Sequence, residues 1–199
     1  MKKNIVPLSF AVLVIVGAAV AGAAYFHGRQ DSVAVTDVHA LLPKVSLSEI
    51  VSQSDGIIIG TVQATEAIRE ASVWRKNKQD ILTNASIRVE KYLFNPKHLT
   101  SSEVTVQVIG GTIGTETFQA EDSPTFEKGQ HVIVVIKQQG PELYSVYGWA
   151  QGKFTVNADG TVGRGDESAY FRDVFGKAMT VTELEGAIAS ATATPGAVR

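Results

Sequence analysis

No cysteine occurs among the 199 residues. That absence excludes disulfides, thiol nucleophiles and thiolate metal ligands, and it leaves the fold to be held by its apolar core. Histidine is scarce: His27, His39, His98 and His131 are scattered along the chain, and the His-Glu-x-x-His pattern of zinc hydrolases is missing. Gly-x-Ser-x-Gly and Ser-x-x-Lys are missing too, and no Gly-Lys-Ser or Gly-Lys-Thr accompanies the glycines. No metal or cofactor is therefore expected. Any catalytic site has to be assembled from residues distant in sequence.

Charge is modest, with 19% of residues charged against 44% hydrophobic, which suits a globular chain and excludes an acidic disordered one. Lys2 and Lys3 stand apart at the N-terminus. Without them 16 basic residues face 20 acidic ones. A mildly acidic domain has little to offer a phosphate backbone, so no nucleic-acid partner is expected.

What the chain does have is one long apolar run. Ile5 to Phe26 carries no charge, and as a helix rising ~1.5 Å per residue it spans about 33 Å, enough to cross a hydrocarbon core. Ala19-Val20-Ala21 and Ala21-Gly22-Ala23 also offer the small-x-small pattern of a cleavage site. Two readings stay open: a single-pass anchor in the cell membrane with the C-terminal domain outside, or a signal whose removal releases a secreted protein. The lysines before the run place the rest of the chain outside in both. The expected organisation is an export segment at 1–26, a linker at 27–45, a β domain at 46–190 and a frayed, disordered tail at 191–199.

Within the β domain, Ser46-Leu47-Ser48-Glu49 has capping-box spacing, so a short helix is expected over "LSEIVSQS". "IIIGTV" and "HVIVVIK" are apolar without alternation, as strands covered on both faces are. Ile81, Thr83, Ala85, Ile87 and Val89 alternate with Leu82, Asn84, Ser86, Arg88 and Glu90, the period of a half-buried strand, and Val104, Val106 and Val108 face one way in the next. Thr180 and Glu183 repeat the capping spacing ahead of a C-terminal helix. The expected fold is mainly β: an antiparallel barrel, OB-like, or a sandwich, of six to seven strands with a short N-terminal helix and a C-terminal helix, preceded by the hydrophobic helix. Gly110, Gly111 and Gly114 lie where a phosphate loop would, but no helix follows to hold a phosphate, so they read as a corner between strands.

The ordered series "SLSEIVSQSDGIIIGTV", "TNASIRVEKYLF", "VTVQVIGGTIG", "FEKGQHVIVVI" and "WAQGKFTV" resembles an uncharacterised group of exported bacterial and archaeal β domains, sometimes found beside zinc-protease domains. The likeness covers roughly 46–157. It implies a compact β-barrel and assigns no catalytic residue. At "LFNP" the chain departs from the Lys-Gly pair that often closes the second strand in that group.

Three places are candidates for contact. Gln151-Gly152-Lys153-Phe154 follows an aromatic-rich stretch, and Gln151, Lys153, Tyr147 and Trp149, beside Tyr144, offer an amide, a cation and rings to a ligand or partner. Trp74 among Arg75, Lys76 and Lys78 suits lipid headgroups or a polyanion, or else a charged hairpin tip that keeps an edge soluble. Asn84-Ala85-Ser86 is a glycosylation sequon in an exported segment. Asn157, Asp159, Asp166 and Glu167 supply oxygen atoms near a hairpin without a full calcium-loop pattern. The functional expectation is a membrane-tethered or secreted binding or scaffolding domain, partnered by the membrane through residues 5–26 and by an envelope protein. The alternative is a hydrolase or protease-associated enzyme.

Overall fold

The computed structural model describes residues 34–38, 46–73, 75–163 and 179–193. All but Ala34 belong to the compact unit Val35–Arg199. Two apolar runs organise it. Strand β2 (Gly56–Ala71) pairs antiparallel with β7 (His131–Gly140), placing Ile57 opposite Val135 and Ile59 opposite Ile133. Neither run alternates because both faces are covered. On one face Ile58, Val62, Val132 and Val134 pack with Ile87, Val106 and Tyr144. On the other, Ile57, Ile59, Ile133 and Val135 pack under Ile50 and Val51 of helix α1 (Leu47–Gln53) and Leu184 and Ile188 of helix α2 (Val181–Ala193).

The remaining strands close most of the way around the first of these cores. β3 (Gln79–Phe94) returns along β2, and β4 (Glu103–Ile109) returns along β3, both antiparallel. The chain then leaves the sheet for the hairpin β5 (Gly111–Ile113) and β6 (Glu116–Ala120), which joins β1 (Ala34–Val38) in a three-stranded sheet. After β7, β8 (Leu143–Val146) folds back on β7 and also runs parallel to β4, with Tyr144 beside Val106. Pairings therefore lead from β7 through β2, β3, β4 and β8 back to β7, a partial ring. β9 (Lys153–Val156), β10 (Thr161–Gly163) and β11 (Met179–Thr180) extend the sheet beyond β7 to eight strands.

The protein is mainly β with a short helix ahead of the long strands β2 and β3 and a longer one after the last strand, as expected. The expectation of six to seven antiparallel strands needs correction: the described residues contain eleven strands, and β4–β8 is parallel. Strands of two or three residues carry too little pattern to be read, and a parallel partner leaves no local mark. Residues 34–38, inside the segment read as linker, form β1, and α2 runs on to Ala193, past the expected boundary at 190. The apolar run 5–26 and the tail 194–199 lie outside the described residues, among which no helix is long and apolar enough to cross a membrane.

Local chemistry fixes the joints. Ser46 caps α1 by accepting the Glu49 amide at 3.2 Å. At α2 the box is reciprocal: Thr180 Oγ1 accepts from the Glu183 amide at 3.2 Å, and Glu183 Oε2 accepts from the Thr180 amide at 2.9 Å. At "LFNP" the Asn95 side chain closes the loop, accepting from the Leu99 amide and donating to its carbonyl, each at 2.8 Å. The glycine corner is real. Gly110 and Gly111 have φ of 108° and 145°, Thr83 Oγ1 donates to the Gly110 carbonyl at 2.6 Å, and a Cβ on Gly111 would sit 2.6 Å from that same hydroxyl.

Asp55 latches the end of α1 to β7. Its carboxylate is buried, accepts the Gln138 amide at 3.0 Å, and lies 3.6 Å from Lys97 Nζ and 3.5 Å from Lys137 Nζ. Burial alone would raise this carboxyl, but the Gln138 hydrogen bond and the ammonium groups of Lys137 and Lys97 outweigh it and hold the group below its ordinary range.

Candidate functional site

A cleft of about 380 Å³ opens where the β2–β3 hairpin passes the ends of β4 and β8. Its size falls within the range of small-ligand sites. The alternation of β4 buries Val104, Val106 and Val108 and turns Thr105, Gln107 and Ile109 away from the core. Gln107 is thus presented beside Asn84 of β3 and Ser145 of β8, its register partners on either side. Its amide nitrogen donates to Asn84 Oδ1 at 3.0 Å and to Glu70 Oε1 at 3.3 Å. Gln139 Nε2 donates to Ser145 Oγ at 2.9 Å. Two side-chain amides, a hydroxyl and a carboxylate are held along one wall.

Trp149, Pro124 and Val73 add apolar surface to the lining of the cleft. Val73 is 81% exposed, the one large hydrophobic so exposed among the described residues. Trp149 opens the 3-10 turn Trp149–Gly152 with φ of 55°, directly after Gly148 at 76°. A left-handed backbone is costly for a bulky residue, and such outliers gather at functional sites. The turn is pinned on both sides: the Tyr147 amide donates to the Val135 carbonyl and the Ala150 amide to the Asp122 carbonyl, each at 2.9 Å. Ser123 also lines the cleft, and its Oγ is buried without a hydrogen-bond partner.

The residues expected to act together around Gln151 are redistributed by this turn. Trp149 faces the cleft. Gln151 and Lys153 are buried, 8% and 9% exposed, with the Lys153 ammonium 5.1 Å from the centre of the Phe126 ring. Tyr147 packs on the helix side, while Tyr144 is buried inside the ring. The tight turn is what separates them, since a Cβ on Gly152 would lie 1.9 Å from the Tyr147 carbonyl oxygen.

At the hairpin tip, Trp74 lies outside the described residues. Lys76 and Lys78 are exposed. Arg75 is engaged inward: it pairs with the buried Asp80, donates to the Gln79 carbonyl at 3.0 Å, and lies over the Phe118 ring at 5.1 Å. Asn84 sits within β3, paired on both sides, with its side-chain oxygen accepting from Gln107, rather than on the surface loop typical of a glycan. Of the oxygen-bearing residues near the β9–β10 hairpin, Asp159 Oδ1 accepts from the Thr161 hydroxyl and amide, while 166 and 167 lie outside the described residues.

One cluster brings a hydroxyl, a carboxylate and an imidazole together: Thr61, Glu90 and His131, on neighbouring strands. Thr61 Oγ1 donates to Glu90 Oε1 at 2.7 Å, and His131 Nε2 faces Glu90 Oε2 at 3.1 Å. The Thr61 hydrogen bond chiefly, with His131 and Arg88 assisting against burial, holds the Glu90 carboxyl below its ordinary range. This is not a nucleophile with its base. The hydroxyl proton is committed to the carboxylate, and the imidazole contacts the other oxygen of that carboxylate.

The cleft residues Glu70, Gln107, Ser123, Gln139 and Ser145 are not singled out by sequence. The outward phase of "VTVQVI" marks Gln107 as surface-facing, but its meeting with Ser145 depends on the unreadable parallel pairing. A scan against protein-family models gives no match for the chain, and a search of curated proteins gives none either.

Proposed function

We propose that this chain is an extracytoplasmic binding module, tethered or exported through residues 5–26, whose partial ring is an OB-like barrel and whose ligand enters the Trp149 cleft. The observation that carries this reading is the cleft itself. An indole on a left-handed turn lines it together with prearranged amide, hydroxyl and carboxylate groups, with no nucleophile–base pair among them. The strand order β2-β3-β4-β8-β7, with a parallel β4–β8 pairing, supports the barrel reading, because a five-stranded OB barrel is a partly open Greek key. The apolar run preceded by two lysines supports export, and the resemblance to exported β domains agrees with it. An enzymatic reading would begin at Thr61, Glu90 and His131, where the hydroxyl is held by the wrong group.

The test is a ligand-detected fragment screen against the full-length chain in mild detergent, repeated with Trp149→Ala. Hits lost in the variant support the reading. Hits that persist unchanged, or turnover of a generic ester or peptide substrate by the purified chain, overturn it.

A further inference from the structure

We infer that the Trp149 cleft takes a neutral saccharide. This rests on the binding reading and names the ligand class. A sugar ring is amphipathic: its C–H face packs against apolar surface while its hydroxyls both donate and accept. The cleft is lined by both kinds of surface. Trp149 and Pro124 offer apolar surface, and an indole supplies the largest contact area at low entropic cost. Gln107, Gln139, Ser145 and Glu70 offer planar or hydroxylic groups that match vicinal hydroxyls.

Charge narrows the class. None of the described lining residues is a lysine, arginine or histidine. Of the two lining carboxylates, Asp80 is neutralised by Arg75, while Glu70 accepts from the uncharged Gln107 amide at 3.3 Å. A phosphate, sulfate or uronate group would meet the Glu70 carboxylate and, among the described lining residues, no cation to receive it.

Strand pairing removes the commonest peptide mode from the Gln107–Ser145 wall. An extended peptide adds to a sheet through a free edge. Over the stretch that carries Gln107 and Ser145, β4 is paired to β3 and β8, and β8 to β4 and β7, so no strand can be added between these two residues. The Ser123 hydroxyl, buried beside the cleft without a partner, is a further group that a ligand hydroxyl would satisfy after a small shift of its loop.

The experiment is an array of neutral oligosaccharides of glucose, mannose and N-acetylglucosamine, with heparin fragments and a random peptide library as separate arms. It is probed with the full-length chain and followed by calorimetry on the best neutral binder. The expected result is saturable binding of a neutral oligosaccharide, weakened at least about tenfold by Trp149→Ala and several-fold by Gln139→Ala, with unchanged circular dichroism. Because Trp149→Ala could alter folding, the exposed Gln139→Ala variant carries the decision if the first fails to fold. Binding only of peptides, lost in the same variants, overturns the saccharide class and leaves the cleft as a site. Binding only of heparin fragments overturns it through the charge argument. Failure of all arms overturns both the class and the binding reading.

Discussion

Gln107 and Ser145 stand side by side across the parallel pairing of β4 and β8, one anchored to Asn84 and Glu70, the other to Gln139. The relationship joins strands far apart in the chain, and it builds the polar wall of the cleft from the same pairing that carries the partial ring from β4 to β8. Fold and site are therefore coupled: what disturbs the seating of β8 should disturb ligand binding before it unfolds the core.

Trp149 is expected to be retained for contact more than for stability. Asn tolerates a left-handed backbone, so Trp149→Asn recovers about 1–2 kcal/mol of strain while losing a similar amount of apolar burial. Denaturant unfolding should change by no more than about 1 kcal/mol while binding is lost. A loss of several kcal/mol would show that the indole belongs to the core.

The Gly110–Gly111 corner should not accept a branched side chain. Gly111→Val meets Thr83 Oγ1, which already donates to the Gly110 carbonyl, at a φ of 145°. A destabilisation of at least about 2–3 kcal/mol is expected by chemical denaturation. A Gly111→Val protein as stable as the parent would show that the chain can leave β4 without glycine.

Asp55 makes stability acid-sensitive. Its carboxyl titrates lower in the folded chain than its unfolded value of 3.8, so its contribution is complete above that value and is lost as pH falls through the lower folded one. Asp55→Asn should cost roughly 1.5–3 kcal/mol at neutral pH and flatten the decline in stability below about pH 4. Parallel stability–pH curves for the two proteins would remove Asp55 from the account.

The basic hairpin tip separates into two roles. Arg75→Gln leaves the buried Asp80 without its cation and should cost roughly 2 kcal/mol, less than a fully buried pair because Arg75 is 41% exposed. Lys76→Gln with Lys78→Gln should stay within about 0.5 kcal/mol. Comparing the lysine pair with the parent on anionic vesicles then isolates any headgroup contact from folding.

Much of this architecture is legible in the sequence where the signal is local. Ser46 and the Thr180–Glu183 pair mark helix starts, "IIIG" and "HVIVVI" announce strands covered on both faces, and the helix missing after Gly114 makes the glycines a corner. What is not legible depends on partners distant along the chain. Gln151 and Lys153 read as surface contacts because an amide and a cation usually are, yet a turn tight enough to need Gly152 carries them inward. The Gln107–Ser145 meeting needs the parallel pairing, and the left-handed Trp149 sits in a turn whose Tyr147 and Ala150 amides are tied to the distant Val135 and Asp122 carbonyls.

The most direct test of the central claim is backbone amide chemical-shift mapping on the isotope-labelled full-length chain, titrated with the best neutral oligosaccharide from the array. The account predicts shifts concentrated at Gln107, Gln139, Ser145 and Trp149, with Thr61, Glu90 and His131 unmoved. Shifts centred on Thr61, Glu90 and His131, or none at saturating ligand, would contradict it.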